Sequence, residues 1–218
     1  MSIPEVCRGV FDPGSETVPF WTMAAELRGR FAGRPAGVAR ALHRAGGGDY
    51  LHVSVECPVA VLFRMTEKRR PVPGLVPSMP LSSLDKDLPV GDGDLDAAYS
   101  LWSDDPDRMV LLVHQPGVKE ALRQAAAAVD NRFCYATIRG GKAEVILDLS
   151  GTTCGPDRIR AVLTGLATVA AAAEGIWPVD RRNWALWRFW NGGGVYVVAA
   201  VAAAVVLGLI WLFLVGLT

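Results

Sequence analysis

From Val195 to Leu217 the chain carries no charged residue: VYVVAAVAAAVVLGLIWLFLVGL. No other stretch narrows so much what this sequence can become. As a helix these 23 residues extend about 34 Å at roughly 1.5 Å per residue, enough to cross the hydrocarbon core of a bilayer. A helix on the surface of a globular domain keeps polar residues on its outer side, and a secretory signal stands at the front of a chain. The stretch therefore predicts one transmembrane helix over 195–217, a tail anchor that stops one residue before the last.

The flanks predict its orientation. Arg181, Arg182 and Arg188 precede the span and nothing basic follows it. Basic residues stay on the cytoplasmic side, so the N-terminal domain is expected in the cytoplasm and the C-terminus on the far side of the inner (cytoplasmic) membrane. The opening residues, MSIPEVCRGVF, hold no apolar run long enough to direct export.

Five of the seven tryptophans, Trp177, Trp184, Trp187, Trp190 and Trp211, lie in the last 42 residues. Indole favours the membrane–water boundary, its ring apolar and its N–H wet. Trp184, Trp187 and Trp190 recur every three residues and share one broad side of a helix, while Arg181 and Arg188 share another. Arg181, Arg182, Trp184, Trp187, Arg188, Trp190 and Trp211 are thus the membrane-interface residues read from the sequence. Residues 181–190 fit a short helix on the headgroups, bent into the span at Gly192–Gly194. They fit equally one continuous helix with a tryptophan collar. Within the span, Ala199/Ala203, Ala200/Ala204 and Ala204/Gly208 are spaced for close approach of a neighbouring helix.

Charge excludes some classes. Lys+Arg and Asp+Glu both number 22 and the isoelectric point is about 6.8, without the basic excess of a nucleic-acid binder. The four cysteines, Cys7, Cys57, Cys134 and Cys154, form no CxxC pair, and no histidine stands at zinc-finger spacing from them. Reduced thiols in a cytoplasmic compartment are expected.

Ahead of the tail, hydrophobic periodicity predicts an α+β domain over 1–176, with a juxtamembrane segment over 177–194. A short helix is expected over 18–30, with Phe20, Met23, Ala24 and Leu27 on one side. Strands follow near 36–43, 50–56 and 59–65; YLHVSVE alternates Leu51, Val53 and Val55 against His52, Ser54 and Glu56. Five prolines (Pro71, Pro73, Pro77, Pro80, Pro89) make 71–91 an extended connector. Ser103 reads as an N-cap, with Asp104, Asp105 and Asp107 in the first turn and Pro106 where proline is tolerated, for a helix reaching about Gln115. A second helix starts at Pro116 and contains Val118, Leu122 and Ala125–Ala128. NRFCYATIRGGKAEVILDL is a hairpin turning at Gly140-Gly141. Pro156-Asp157 opens a last helix carrying Ile159, Val162, Leu163, Leu166 and Val169, with Gly175 as its stop. Helices and strands alternate without a βαβ rhythm, which makes the class α+β.

Chemical motifs are few. GDGDLD at Gly91–Asp96 resembles the opening of a calcium loop. A loop beginning at Asp92 requires glycine sixth and glutamate twelfth, and those places hold Ala97 and Ser103, so a polar turn is expected. His43, His52 and His114 are scattered. Cys57 and His52, five apart on one strand, point to opposite faces. GxSxG, HExxH and P-loop patterns are absent, and LRGRFAGRPAG lacks the strand–loop–helix setting for phosphate. No catalytic residue, cofactor or metal ligand is assigned, and nothing signals a small-molecule substrate. Lys68, Arg69 and Arg70 form a small basic cluster.

The order TEKRR, a proline-rich gap, VGDGDLDAAYSLWSDDPDRM, PGVKEAL, hairpin and helix resembles bacterial membrane-anchored proteins of uncharacterised function, over residues 60–175. The matching elements are Gly91-Asp92, Leu95-Asp96 and Ser103-Asp104-Asp105. The resemblance implies a cytoplasmic α+β domain beside a membrane and no functional residues. The expectation is a non-catalytic, tail-anchored accessory or scaffold subunit of a larger membrane complex, such as a respiratory or photosynthetic one. Its expected partners are the lipid bilayer and other transmembrane subunits. The alternatives are a membrane-tethered sensor or ligand-binding module, and an enzyme with an unrecognised site.

Overall fold

The computed structural model describes residues 7, 9–16, 26–43, 48–68, 87–127, 133–148 and 155–179. The chain divides into two compact units, Met1–Val179 and Asp180–Thr218; all the described residues belong to the first. That unit contains β1 (Glu26–Phe31), β2 (Arg34–His43), β3 (Gly48–Glu56), β4 (Phe63–Glu67), α1 (Gly93–Ala98), β5 (Tyr99–Ser103), α2 (Pro106–Val113), α3 (Val118–Ala127), β6 (Phe133–Arg139), β7 (Lys142–Asp148) and α4 (Pro156–Ile176). The strands form one seven-stranded sheet in the order β1-β2-β3-β7-β6-β4-β5, antiparallel at every pairing. The fold is α+β.

Strand alternation gives the sheet two chemically different faces. One row of partners runs through all seven strands, Leu27–Val38–Val53–Val145–Ala136–Met65–Leu101, and every member is buried. The adjacent row, one residue along each strand, runs Arg28–Gly37–Ser54–Glu144–Thr137–Arg64–Trp102. A shift of one residue in register would exchange the two rows, so burial of the first fixes the pairing.

Helices cover the apolar face. The inward positions of α4 are Ile159, Val162, Leu163, Leu166, Val169, Ala170 and Ala173, the helical spacing read from the sequence. By length and composition α4 is long and apolar enough to cross a membrane, yet this side of it lies in the core cluster. α3 packs beside α4 at Gly165, where an added Cβ would stand 2.7 Å from the Ala121 carbonyl oxygen and 3.1 Å from Ala125 Cβ. The β6–β7 hairpin turns through Gly140 and Gly141, both with positive φ (61° and 76°), as a primed turn requires.

Four local expectations are corrected. Residues 26–31, read as part of a helix over 18–30, form β1; its Leu27 is buried in the apolar row, and pairing with β2 outweighs the helical spacing. Residues 17–25 lie outside the described residues. The strand expected at 59–65 begins at Phe63, preceded by an isolated bridge at Val59. Asp105, not Ser103, caps α2; Ser103 is the last residue of β5 and pairs with Phe63, while its Oγ accepts the Asp105 N–H at 3.1 Å. Gly175 lies inside α4, which ends at Ile176 with Trp177 as C-cap.

Candidate functional site

The membrane-interface set (Arg181, Arg182, Trp184, Trp187, Arg188, Trp190, Trp211) and the helix-packing set (Ala199, Ala200, Ala203, Ala204, Gly208) lie outside the described residues, as do the span 195–217 and most of the proline connector.

GDGDLD is a clasp. Asp92 caps α1, its Oδ1 accepting the Leu95 N–H at 3.0 Å. The same carboxylate faces Lys119 Nζ at 3.2 Å and Arg123 Nη2 at 2.8 Å, both on α3. The Leu95 N–H, then Lys119 and Arg123, hold Asp92 below the ordinary aspartate range. Asp96 accepts the Val90 and Gly91 N–H groups at 2.9 and 3.0 Å. Asp94 is exposed and reaches Arg123 at 3.4 Å. A calcium site needs carboxylates converging on one point; here backbone amides and α3 cations take them in different directions. Among the described residues no group of three or more His, Cys, Asp or Glu could hold a metal ion.

At the foot of this clasp Lys68 Nζ meets Asp87 Oδ2 at 2.5 Å and donates to the Asp96 carbonyl at 2.6 Å. Burial works against ionisation of Asp87, but hydrogen bonds from Lys68, Ser100 and Leu101 outweigh it and leave its pKa lowered.

The histidines separate. His114 Nε2 donates to the Val90 carbonyl at 2.8 Å. His52, on the polar face, bonds through Nδ1 to Glu144 Oε1 at 3.0 Å, while its Nε2 is buried without a partner. Ser54, two residues on, turns its Oγ to the Gly37 carbonyl at 3.4 Å, so the side chains present do not form a nucleophile–base–orienter chain. Cys57 is fully buried. Burial, then the nearby Glu174 carboxylate, push its thiol up to about 12, with Arg34 opposing; a thiol so raised is a poor nucleophile.

Among the described residues a shallow groove of about 630 Å³ crosses α4, lined by Phe31, Ala32, Arg34, Gln115, Pro116 and the helix residues Thr164, Ala167, Thr168, Ala171 and Ala172. Its floor is small and apolar. The threonines donate their hydroxyls back along the helix, Thr164 to the Arg160 carbonyl and Thr168 to the Thr164 carbonyl, as mid-helix threonines can. Arg34, at the rim, is clasped by Glu174 through two hydrogen bonds of 2.5 and 2.9 Å; chiefly that bond raises its pKa further.

Sequence reasoning missed three of these relationships: Arg34 with Glu174, Gly165 against Ala121, and Trp177 with Asp105 (3.1 Å). All three are long-range, and only the small-residue run in α4 carried a local signal.

No family model matches this chain, and no curated protein matches it in sequence. A crystal structure of the mycobacterial trehalose monomycolate transport factor A, TtfA, overlays with a TM-score of 0.49 at 10% identity, over 79% of this chain and 91% of that one. No residue role is transferred from it.

Proposed function

We propose that this chain is a non-catalytic accessory or scaffold subunit of a larger membrane protein complex. Its α+β domain is tethered on the cytoplasmic side of the inner membrane by a single C-terminal helix over 195–217. The observation that carries the reading is the uncharged 23-residue stretch placed after a folded domain. Further support comes from what the domain does with its reactive groups. Asp92 and Asp96 hold α1, His114 and His52 hold neighbouring elements, and Cys57 is sealed in the core. The groove over α4 is shallow and open, whereas small-ligand sites are concave and enclose most of the ligand's surface; this favours the scaffold over the sensor.

The test compares the full chain with one ending at Gly194. The full chain is expected in washed membranes and, in mild detergent, to co-purify with defined membrane subunits identified by mass spectrometry. The shortened chain is expected in the soluble fraction. Retention of the shortened chain in washed membranes would overturn the single anchor, and purification of the full chain free of other subunits would overturn the accessory role.

A further inference from the structure

Trp177, Pro178 and Val179 follow α4 and close against Val59 in the β3–β4 connection and against Asp105 at the start of α2. The Trp177 indole is buried, its backbone N–H donates to the Ala173 carbonyl at 2.9 Å, and its Nε1–H donates to Asp105 Oδ2 at 3.1 Å. Val179 forms an antiparallel bridge with Val59. Asp105 uses its other oxygen elsewhere: Oδ1 accepts the Arg108 N–H at 3.3 Å as the N-cap of α2. One carboxylate thus holds the start of a helix and the end of the folded unit.

We infer that residues 177–179 form a latch, closed on Asp105, that sets where the domain ends and the tether begins. With the latch closed, the folded unit ends at Val179, bridged to Val59. With it open, three residues pass from the domain to the tether and lengthen it by about 10 Å, at roughly 3.3–3.6 Å per extended residue. Capping needs only one acceptor oxygen. The second oxygen of Asp105 is therefore available to satisfy the indole N–H, which would otherwise be buried without a partner. The exposed Pro178 and Val179 make this strap a low-stability opening unit of the domain.

The test is hydrogen–deuterium exchange by mass spectrometry on the full chain in mild detergent. Asp105→Ser keeps a capping oxygen for α2 and removes the second acceptor; Trp177→Phe keeps the buried ring and removes the N–H. Each is expected to speed exchange in peptides covering 174–179 by roughly ten- to a hundredfold, as expected for losing a hydrogen bond to a charged group. The double variant is expected to exchange no faster than the faster single one, and α2 to keep its protection in all three. Unchanged exchange at 174–179 in Asp105→Ser would overturn the latch, because burial of the indole alone would then hold the strap. Effects of the two substitutions that multiply in the double variant would overturn it as well.

Discussion

Arg34 and Glu174, 140 residues apart, meet fork to fork: Nη1 donates to Oε1 at 2.5 Å and Nη2 to Oε2 at 2.9 Å. The pair joins the start of β2 to the last turn of α4, and both side chains are about three-quarters shielded from water. A bidentate, partly buried pair is worth more than an exposed one. Arg34→Ala and Glu174→Ala are each expected to lower stability by about 1–2 kcal/mol. The double variant should lose clearly less than the sum, by roughly 1 kcal/mol. Urea unfolding of the four proteins measures this; additive losses would mean the two residues act separately.

Gly165 tests the packing of α3 on α4. In an exposed helix Gly→Ala gains up to about 1 kcal/mol. Here the added Cβ would stand 2.7 Å from the Ala121 carbonyl oxygen, and backbone cannot rotate aside as a side chain can. Gly165→Ala is therefore expected to destabilise by about 1–3 kcal/mol. Gly175 has nothing within 4 Å of its added Cβ, so Gly175→Ala should be neutral or stabilising. Thermal melts check this: Gly165→Ala should melt lower than wild type while Gly175→Ala does not, and a Gly165→Ala that melts at or above wild type would show that α3 does not press on Gly165.

Asp92 gives the domain an acid-sensitive clasp. The Leu95 N–H, then Lys119 and Arg123, lower its pKa from 3.8. A carboxylate whose folded-state pKa is depressed adds stability that is complete above the unfolded value and vanishes as pH falls through the folded one. Asp92→Asn keeps a capping oxygen but loses both ion pairs. Wild type should exceed the variant in stability at pH 6 and converge on it as pH drops below about 3.8. Parallel curves across that range would remove Asp92 from acid unfolding.

Much of this architecture is legible in the sequence. The β3 alternation and the glycine pair between β6 and β7 are written in neighbouring residues, and so is the helical spacing of Ile159, Val162, Leu163, Leu166 and Val169. The failures share a physical cause. Leu27 sits in a stretch with helical spacing, but its partner Val38 belongs to another strand. Ser103 looks like a cap until Phe63 pairs with it. Asp92 was legible as part of a polar turn, whereas Lys119 and Arg123, which make that turn a clasp, lie a helix away. Arg34 and Glu174 carried no local signal, since an ion pair closed through the fold leaves none in the residues beside it.

Cys57 provides a chemical readout of domain opening. Burial pushes its thiol up to about 12 from an ordinary 9.0. For an acid kept neutral by the fold, the unfolded state releases the proton first. Stability therefore falls as pH rises from about 9 towards 12 and is unaffected by this group below that window. At pH 8, Cys57 in the native chain should resist iodoacetamide for as long as the domain stays closed, and react at the unfolded rate in urea. Peptide mapping that finds Cys57 alkylated at equal rates in both states would place the thiol at the surface.

If the proposed function holds, the tail should separate anchoring from assembly, because the two residue sets proposed for it would do different physical work. Changing Trp184, Trp187 and Trp190 to alanine removes the indoles expected at the interface, yet the 23 uncharged residues that follow still suffice to span. That variant should stay in washed membranes, while protease access to the domain changes as its position above the bilayer relaxes. Changing Ala200 and Ala204 to leucine keeps the span at least as apolar, so insertion should be unaffected. The larger side chains would fill the surface across which a neighbouring helix approaches, and the variant should lose its co-purifying transmembrane subunits while remaining in the membrane. Fractionation and mild-detergent purification, run side by side on both variants, measure the two effects separately. Should the leucine variant keep every subunit, the span is a tether only and the contact with the complex lies in the domain or in residues 181–190.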